Sequence, residues 1–80
     1  MGETTTILDT RGLNCPLPVL KANKALRAMA PGATLTVLAT DPAAVKDFPA
    51  YAEETGHTLL SSEAAEGGIY RFVLRRKAEA

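Results

Sequence analysis

Eighty residues carry nine Lys/Arg against nine Asp/Glu, so the formal charge is zero, and 46% of the side chains are apolar with two Tyr, two Phe and no Trp. A chain of this length buries only about 60% of its extended surface, enough for one domain with a modest core. The charge balance excludes a general nucleic-acid binder, which needs a basic surplus for phosphate contacts. No apolar run approaches the roughly 18 residues of a membrane span, and Met1-Gly2-Glu3-Thr4 has neither the basic nor the apolar part of a signal peptide. A single cysteine closes no internal disulfide and supports no dithiol cycle, and one Cys with one His makes no zinc site within one chain. No metal and no cofactor is expected, and the cytoplasm is the expected location.

Taken in order, Thr5 to Thr10 predicts a strand with Thr6, Leu8 and Thr10 on one face and Ile7 and Asp9 on the other. Arg11-Gly12-Leu13-Asn14 is a loop in which Gly12 supplies the backbone freedom of a tight turn. Cys15 then stands where a helix N-cap belongs, with Pro16 at the first helical position, where a missing N–H costs nothing. Through Ala30 the helix shows one apolar stripe, Val19, Ala22, Leu26, Met29 and Ala30. Leu17 and Leu20 fall outside it, beside Cys15. Leu20, with Arg27 and Asp41, is the expected partner-docking set.

Pro31-Gly32 stops the helix, and Thr34 to Thr40 is a strand with Leu35, Val37 and Ala39 facing the core. Asp41-Pro42 repeats the cap-and-proline arrangement and opens a second helix capped by Asp41. Pro49 is expected to split this helix into Ala43–Phe48 and Pro49–Thr55, buried through Val45, Phe48, Ala52 and Thr55. Gly56 ends it, and His57 reads as a solvated or capping group rather than a catalytic base. Thr58 to Ala64 is a third strand, Glu66-Gly67-Gly68 a hairpin signal, and Ile69 to Arg76 a strand with Tyr70, Phe72 and Leu74 inward. Arg71, Arg75, Arg76 and Lys77 are read as solvating the open face and tail of an edge strand. The expected fold is a two-layer α/β sandwich, βαβαββ, with a four-stranded mixed sheet and two helices on one face. Residues 1–80 form a single domain ordered over about 5–76.

The chemistry converges on Cys15. A thiol at a helix start faces the positive end of the helix dipole and unpaired backbone donors, conditions that favour the nucleophilic thiolate. With Pro16 and Pro18 unable to donate, the amides left in the first turn are those of Leu17 and Val19, which are expected to hold a terminal sulfur. Arg11 either adds positive potential or is a solvated loop charge. A buried, inert thiol is the competing reading of a lone cysteine.

Leu8-Asp9, Gly12-Leu13 and Cys15-Pro16-Leu17-Pro18 together resemble the opening signature of the TusA/SirA sulfurtransferase family. Pro31-Gly32, Asp41-Pro42-Ala43, Asp47 with Pro49, Gly56-His57 and Tyr70-Arg71-Phe72 continue the resemblance in the same order. It implies a monomeric sulfur carrier in which Cys15 accepts sulfur as a persulfide, supported by Arg11, Gly12, Pro16, Leu17, Pro18 and Val19. The donor it implies is a cysteine desulfurase or rhodanese-like protein, and the acceptor a DsrE/TusD-like or other protein cysteine. The destinations it implies are tRNA 2-thiouridine, molybdenum cofactor or a sulfur-oxidation relay. No stable nucleic-acid or membrane binding is expected. Two alternatives stand beside it: a non-catalytic protein- or RNA-interaction module, and a thiol redox sensor acting through Cys15.

Overall fold

In a computed structural model of the chain, which describes residues 5–77, alternation of apolar and β-branched side chains builds four strands. They are β1 (Thr5–Thr10), β2 (Thr34–Ala39), β3 (Thr58–Ala64) and β4 (Tyr70–Arg75), and two helices intervene, α1 (Leu17–Arg27) and α2 (Ala44–Thr55). The order is βαβαββ, as the patterning implies. The expectations for the signal-free start and the tail beyond Lys77 lie outside the described residues.

The sheet order is β1-β2-β4-β3. β1 and β2 run parallel through the α1 crossover, while β4 is antiparallel to both of its neighbours. Register sets the faces: Leu35 pairs with Leu74 and Val37 with Phe72, so the inward residues of the two central strands meet on the helix side. α1 lies on β1 and β2, α2 lies on β3 and β4, and the two helices touch each other. Leu26, Leu35, Val37, Phe48, Phe72 and Leu74 are fully buried between the layers, with Phe48 stacked on Phe72 at a centroid distance of 4.7 Å. Thr10 is the buried polar side chain of this core, and its hydroxyl donates to the Leu38 carbonyl at 2.6 Å.

The tertiary structure corrects four expectations. β4 is an inner strand rather than an edge, because the hairpin folds back between β2 and β3. Arg71 and Arg75 are therefore exposed on the open face of a central strand, where Arg71 lies 3.8 Å from Glu63 of β3. The second helix is not split: α2 runs unbroken through Pro49. The proline ring lies on the exposed side while Phe48, Tyr51 and Ala52 are packed below it, so burial on both sides carries the helix across the lost bond. That continuity rotates the helix relative to the expected phase: Ala44, Phe48, Tyr51 and Ala52 are buried, whereas Val45 is 44% exposed. In α1 the buried residues are Pro18, Ala22 and Leu26, and Ala30 lies beyond the helix end and is exposed.

Gly56 closes α2 in the left-handed conformation at φ 87°, its N–H bonded to the Ala52 carbonyl. His57 follows, its ring 5.8 Å from that of Tyr51 and its Nδ1 accepting the Lys77 N–H at 3.0 Å. This bond ties Lys77 to the start of β3. Burial, then the charges of Lys77 and Arg76, hold the His57 pKa below its ordinary 6.5. The unfolded chain therefore binds that proton more tightly. The contribution of His57 to stability is full above 6.5 and is lost as pH falls through the lowered value. Melting curves should show the wild type losing a few degrees across that window more than His57→Phe does; equal losses would count against the coupling.

Candidate functional site

Parallel pairing of β1 with β2 brings the loops that follow both strands to one end of the sheet, the end where open α/β sheets place their ligands. Two bonds join these loops. The Gly12 N–H donates to the Thr40 hydroxyl at 2.8 Å, and the Cys15 N–H donates to Asp41 Oδ2 at 2.6 Å. Gly12 itself turns at φ 84°, a conformation other residues adopt at a cost. The other carboxylate oxygen of Asp41 accepts the Ala43 N–H at 3.1 Å. Asp41 is thus the bridge between the two loops rather than the helix cap. The cap of α2 is Ala43, because Asp41, Pro42 and Ala43 form a turn before the helix begins.

Cys15 is exposed and sits one residue outside the helix cap, which is Pro16; the Cys15–Pro16 peptide is cis. The expectation that Cys15 itself caps the helix therefore shifts by one position. Of the two amides expected to face a sulfur, that of Leu17 is engaged by the Asn14 carbonyl at 2.8 Å. The Leu20 N–H donates to the Pro16 carbonyl at 3.0 Å. Among the described residues the Val19 N–H has no backbone acceptor, so one first-turn donor is left rather than two.

The electrostatics reverse the expected thiolate bias. Interaction with the Asp47 carboxylate, then desolvation, then the charges of Asp47 and Asp41 push the Cys15 pKa above its ordinary value. The helix dipole fades within the first turn and Cys15 stands outside that turn, so two nearby carboxylates outweigh it. Arg11 does not counter them. Its guanidinium is forked onto Asp9, Nε to Oδ1 and a terminal nitrogen to Oδ2, each at 2.8 Å. That side-chain pairing, then the backbone bond from the Arg11 N–H, lowers the Asp9 pKa from 3.8 to about 2.

Beside the sulfur lies an open hollow of about 240 Å³ between the helices, with Cys15, Pro16 and Val19 on one side and Asp47, Ala50, Tyr51 and Glu54 on the other. Tyr51 is fixed there by donating its hydroxyl to Asn23 Oδ1 of α1 at 2.9 Å. No sequence pattern marks the α2 residues as site residues, because they lie 32 to 39 positions from Cys15 and none sits in a local motif with it. Asp47 was visible only as part of the family signature. Leu17 and Leu20 are exposed at 44% and 55%, an apolar pair on the first turns of α1. Pro18, expected as a supporting residue of the site, is also a core residue, and Arg27 is at the far end of the helix. A larger hollow, about 620 Å³, lies between the end of α1 and the opposite end of the sheet, lined by Pro31, Gly32, Thr34 and Arg75 among others, and contains no residue of the candidate site.

The family model described as sulfurtransferase TusA matches residues 6–76, which includes every residue of this constellation. The chain belongs to the TusA family. Among TusA relatives, the sulfur carrier protein TusA of Allochromatium vinosum is 52% identical over 76 residues, covering 95% of this chain and 99% of that protein. The sulfur carrier protein TusA of Pseudomonas aeruginosa is 42% identical over 73 residues, covering 91% of each. A crystal structure of a SirA-like protein from Desulfitobacterium hafniense superposes with a TM-score of 0.80 over 92% of this chain and 99% of that one. At 24% identity the likeness is one of fold. No helix among the described residues is long and apolar enough to cross a membrane.

Proposed function

We propose that this chain is a cytoplasmic sulfur carrier that takes up sulfane sulfur on Cys15 as a persulfide and passes it to a cysteine of an acceptor protein. The observation that carries the reading is the chain's single cysteine, exposed on a loop bonded to its neighbour, in a chain that matches the TusA family over nearly its whole length. In the loading step Cys15 Sγ attacks the terminal sulfur of a donor persulfide. A new Sγ–S bond forms, the donor's S–S bond breaks, and the proton of Cys15 ends on the departing donor thiolate. Discharge repeats the exchange with the acceptor cysteine as attacking group, so no external oxidant or reductant is consumed. A carrier with no second thiol has no internal route by which the persulfide discharges early.

The partners are a persulfide-bearing donor, such as a cysteine desulfurase or rhodanese-like protein, and a receptive protein cysteine of the DsrE/TusD-like kind. Relays to tRNA 2-thiouridine, molybdenum cofactor and sulfur oxidation all supply such a pair. The redox-sensor alternative gains nothing from the site, since sensors rely on a lowered thiol pKa and that of Cys15 is raised. Incubation with a cysteine desulfurase and free cysteine should raise the intact mass by one sulfur atom, removed again by a reducing thiol. A wild-type mass unchanged where another TusA protein loads would overturn the reading.

A further inference from the structure

The hollow of about 620 Å³ at the end of the sheet away from Cys15 has the volume of a small-molecule site. Its floor is the loop between α1 and β2, which is pinned to β4: the Gly32 N–H donates to the Arg76 carbonyl at 3.0 Å, and the Arg76 N–H donates to the Ala33 carbonyl at 2.9 Å. The Arg76 guanidinium adds a bond to the Met29 carbonyl. The cavity is therefore held by backbone bonds rather than left between loose side chains. Met29, Ala30 and Pro31 make one side of it apolar, and Leu60 of β3 also lines it. Leu60 is the extra residue of a bulge between Leu59 and Ser61: Leu59 packs on the core, while Leu60 is left 46% exposed. Bulges re-aim side chains in this way, and this one delivers a leucine to the hollow instead of the core.

The one charged group on the lining is Arg75, and no acidic side chain among the described residues accompanies it. Its cross-strand neighbours are Thr34 and Thr58, which carry no charge. Among the described residues Arg75 has no ion-pair partner, whereas Arg71, on the same face of β4, has Glu63 at 3.8 Å.

We propose that this hollow binds a small organic anion, a short apolar chain or ring carrying one carboxylate. The planar fork of Arg75 matches a carboxylate through two parallel N–H···O bonds, and the Thr34 hydroxyl is a further donor on the same lining. The apolar body lies against Met29, Pro31 and Leu60, where it leaves water. A single guanidinium balances one negative charge, so a carboxylate fits better than a doubly charged phosphate. A concave space with a pinned floor suits a compact molecule. The site shares no residue with the hollow beside Cys15, so its failure would leave the sulfur-carrier reading standing.

Octanoate is the probe, titrated into isotope-labelled protein and followed by two-dimensional amide spectra. Saturable shifts are expected at Met29 to Thr34, Leu60 and Arg75, with a Kd on the order of a millimolar for a ligand of this size. Arg75→Gln should weaken binding about tenfold, and octanamide, the neutral isostere, should bind about tenfold more weakly than octanoate. Arg71→Gln removes the same charge from the same face but should change Kd by less than about twofold. Equal losses in the two arginine variants would reduce the effect to net charge and overturn the site. So would octanamide binding as tightly as octanoate, or shifts confined to other parts of the protein. Tighter binding of a short acetylated peptide alternating leucine and glutamate would assign the hollow to a polypeptide and overturn the small-molecule reading.

Discussion

Cys15→Ser is expected to take up no sulfur from a loaded donor and to fold as well as wild type. The hydroxyl is nearly the size of the thiol but is neither acidic enough nor soft enough to displace a persulfide sulfur, and the chain holds no other cysteine to substitute for it. Stability should change by no more than about 0.5 kcal/mol, the usual range for exposed positions. Cys15 is exposed, and its tie to the rest of the site runs through a backbone N–H, which serine keeps. Intact mass after incubation with a desulfurase and cysteine measures the first quantity and a melting curve the second. Sulfur gained by the serine variant would remove Cys15 from the chemistry. A collapsed melting temperature would show instead that the thiol is structural.

Phe48→Ala is the substitution expected to cost most stability, about 3–5 kcal/mol. Phe48 is fully buried and stacks on Phe72, so its ring joins α2 to the central strand β4, and alanine leaves a cavity there that the surrounding core fills only in part. Total stabilities of domains are about 5–15 kcal/mol, and a small domain sits toward the lower end, so much of the protein would unfold at body temperature. Phe48→Leu, which retains more of the volume, should cost less than half as much. Urea denaturation of the three proteins measures the series, with the midpoint falling and the slope unchanged. A loss below about 1 kcal/mol for alanine would mean that the aromatic stack contributes little to holding α2 on the sheet.

Much of this molecule is legible in its residues alone. Alternation in Leu35-Thr36-Val37-Leu38-Ala39 and in Tyr70-Arg71-Phe72-Val73-Leu74, broken only by the outward Leu38 and Val73, determined two strands and their buried faces, because in a strand the inward set follows directly from a period of two. The turn before Cys15, the stop at Pro31-Gly32 and the left-handed Gly56 are equally local: each depends on the backbone preferences of one or two residues. The reactive sulfur was legible in the same way, as a unique residue placed between a strand and a helix. What only the tertiary structure decided involves pairs far apart in sequence. The alternation of Ile69 to Arg76 is the same for an edge strand as for the inner strand it proved to be, since strand order depends on which sheet edge the hairpin joins. Proline chemistry favours a break at Pro49, but the burial of Phe48 and Tyr51 under both halves of α2 outweighs it. The charge around Cys15 is the largest such difference. Nearby residues suggested a thiolate favoured by a helix dipole and Arg11. The folded chain pairs Arg11 with Asp9 and places Asp47, from the other helix, on the wall of the hollow beside the sulfur. A sequence establishes which group can react, and only packing across the two helices decides which charges that group meets.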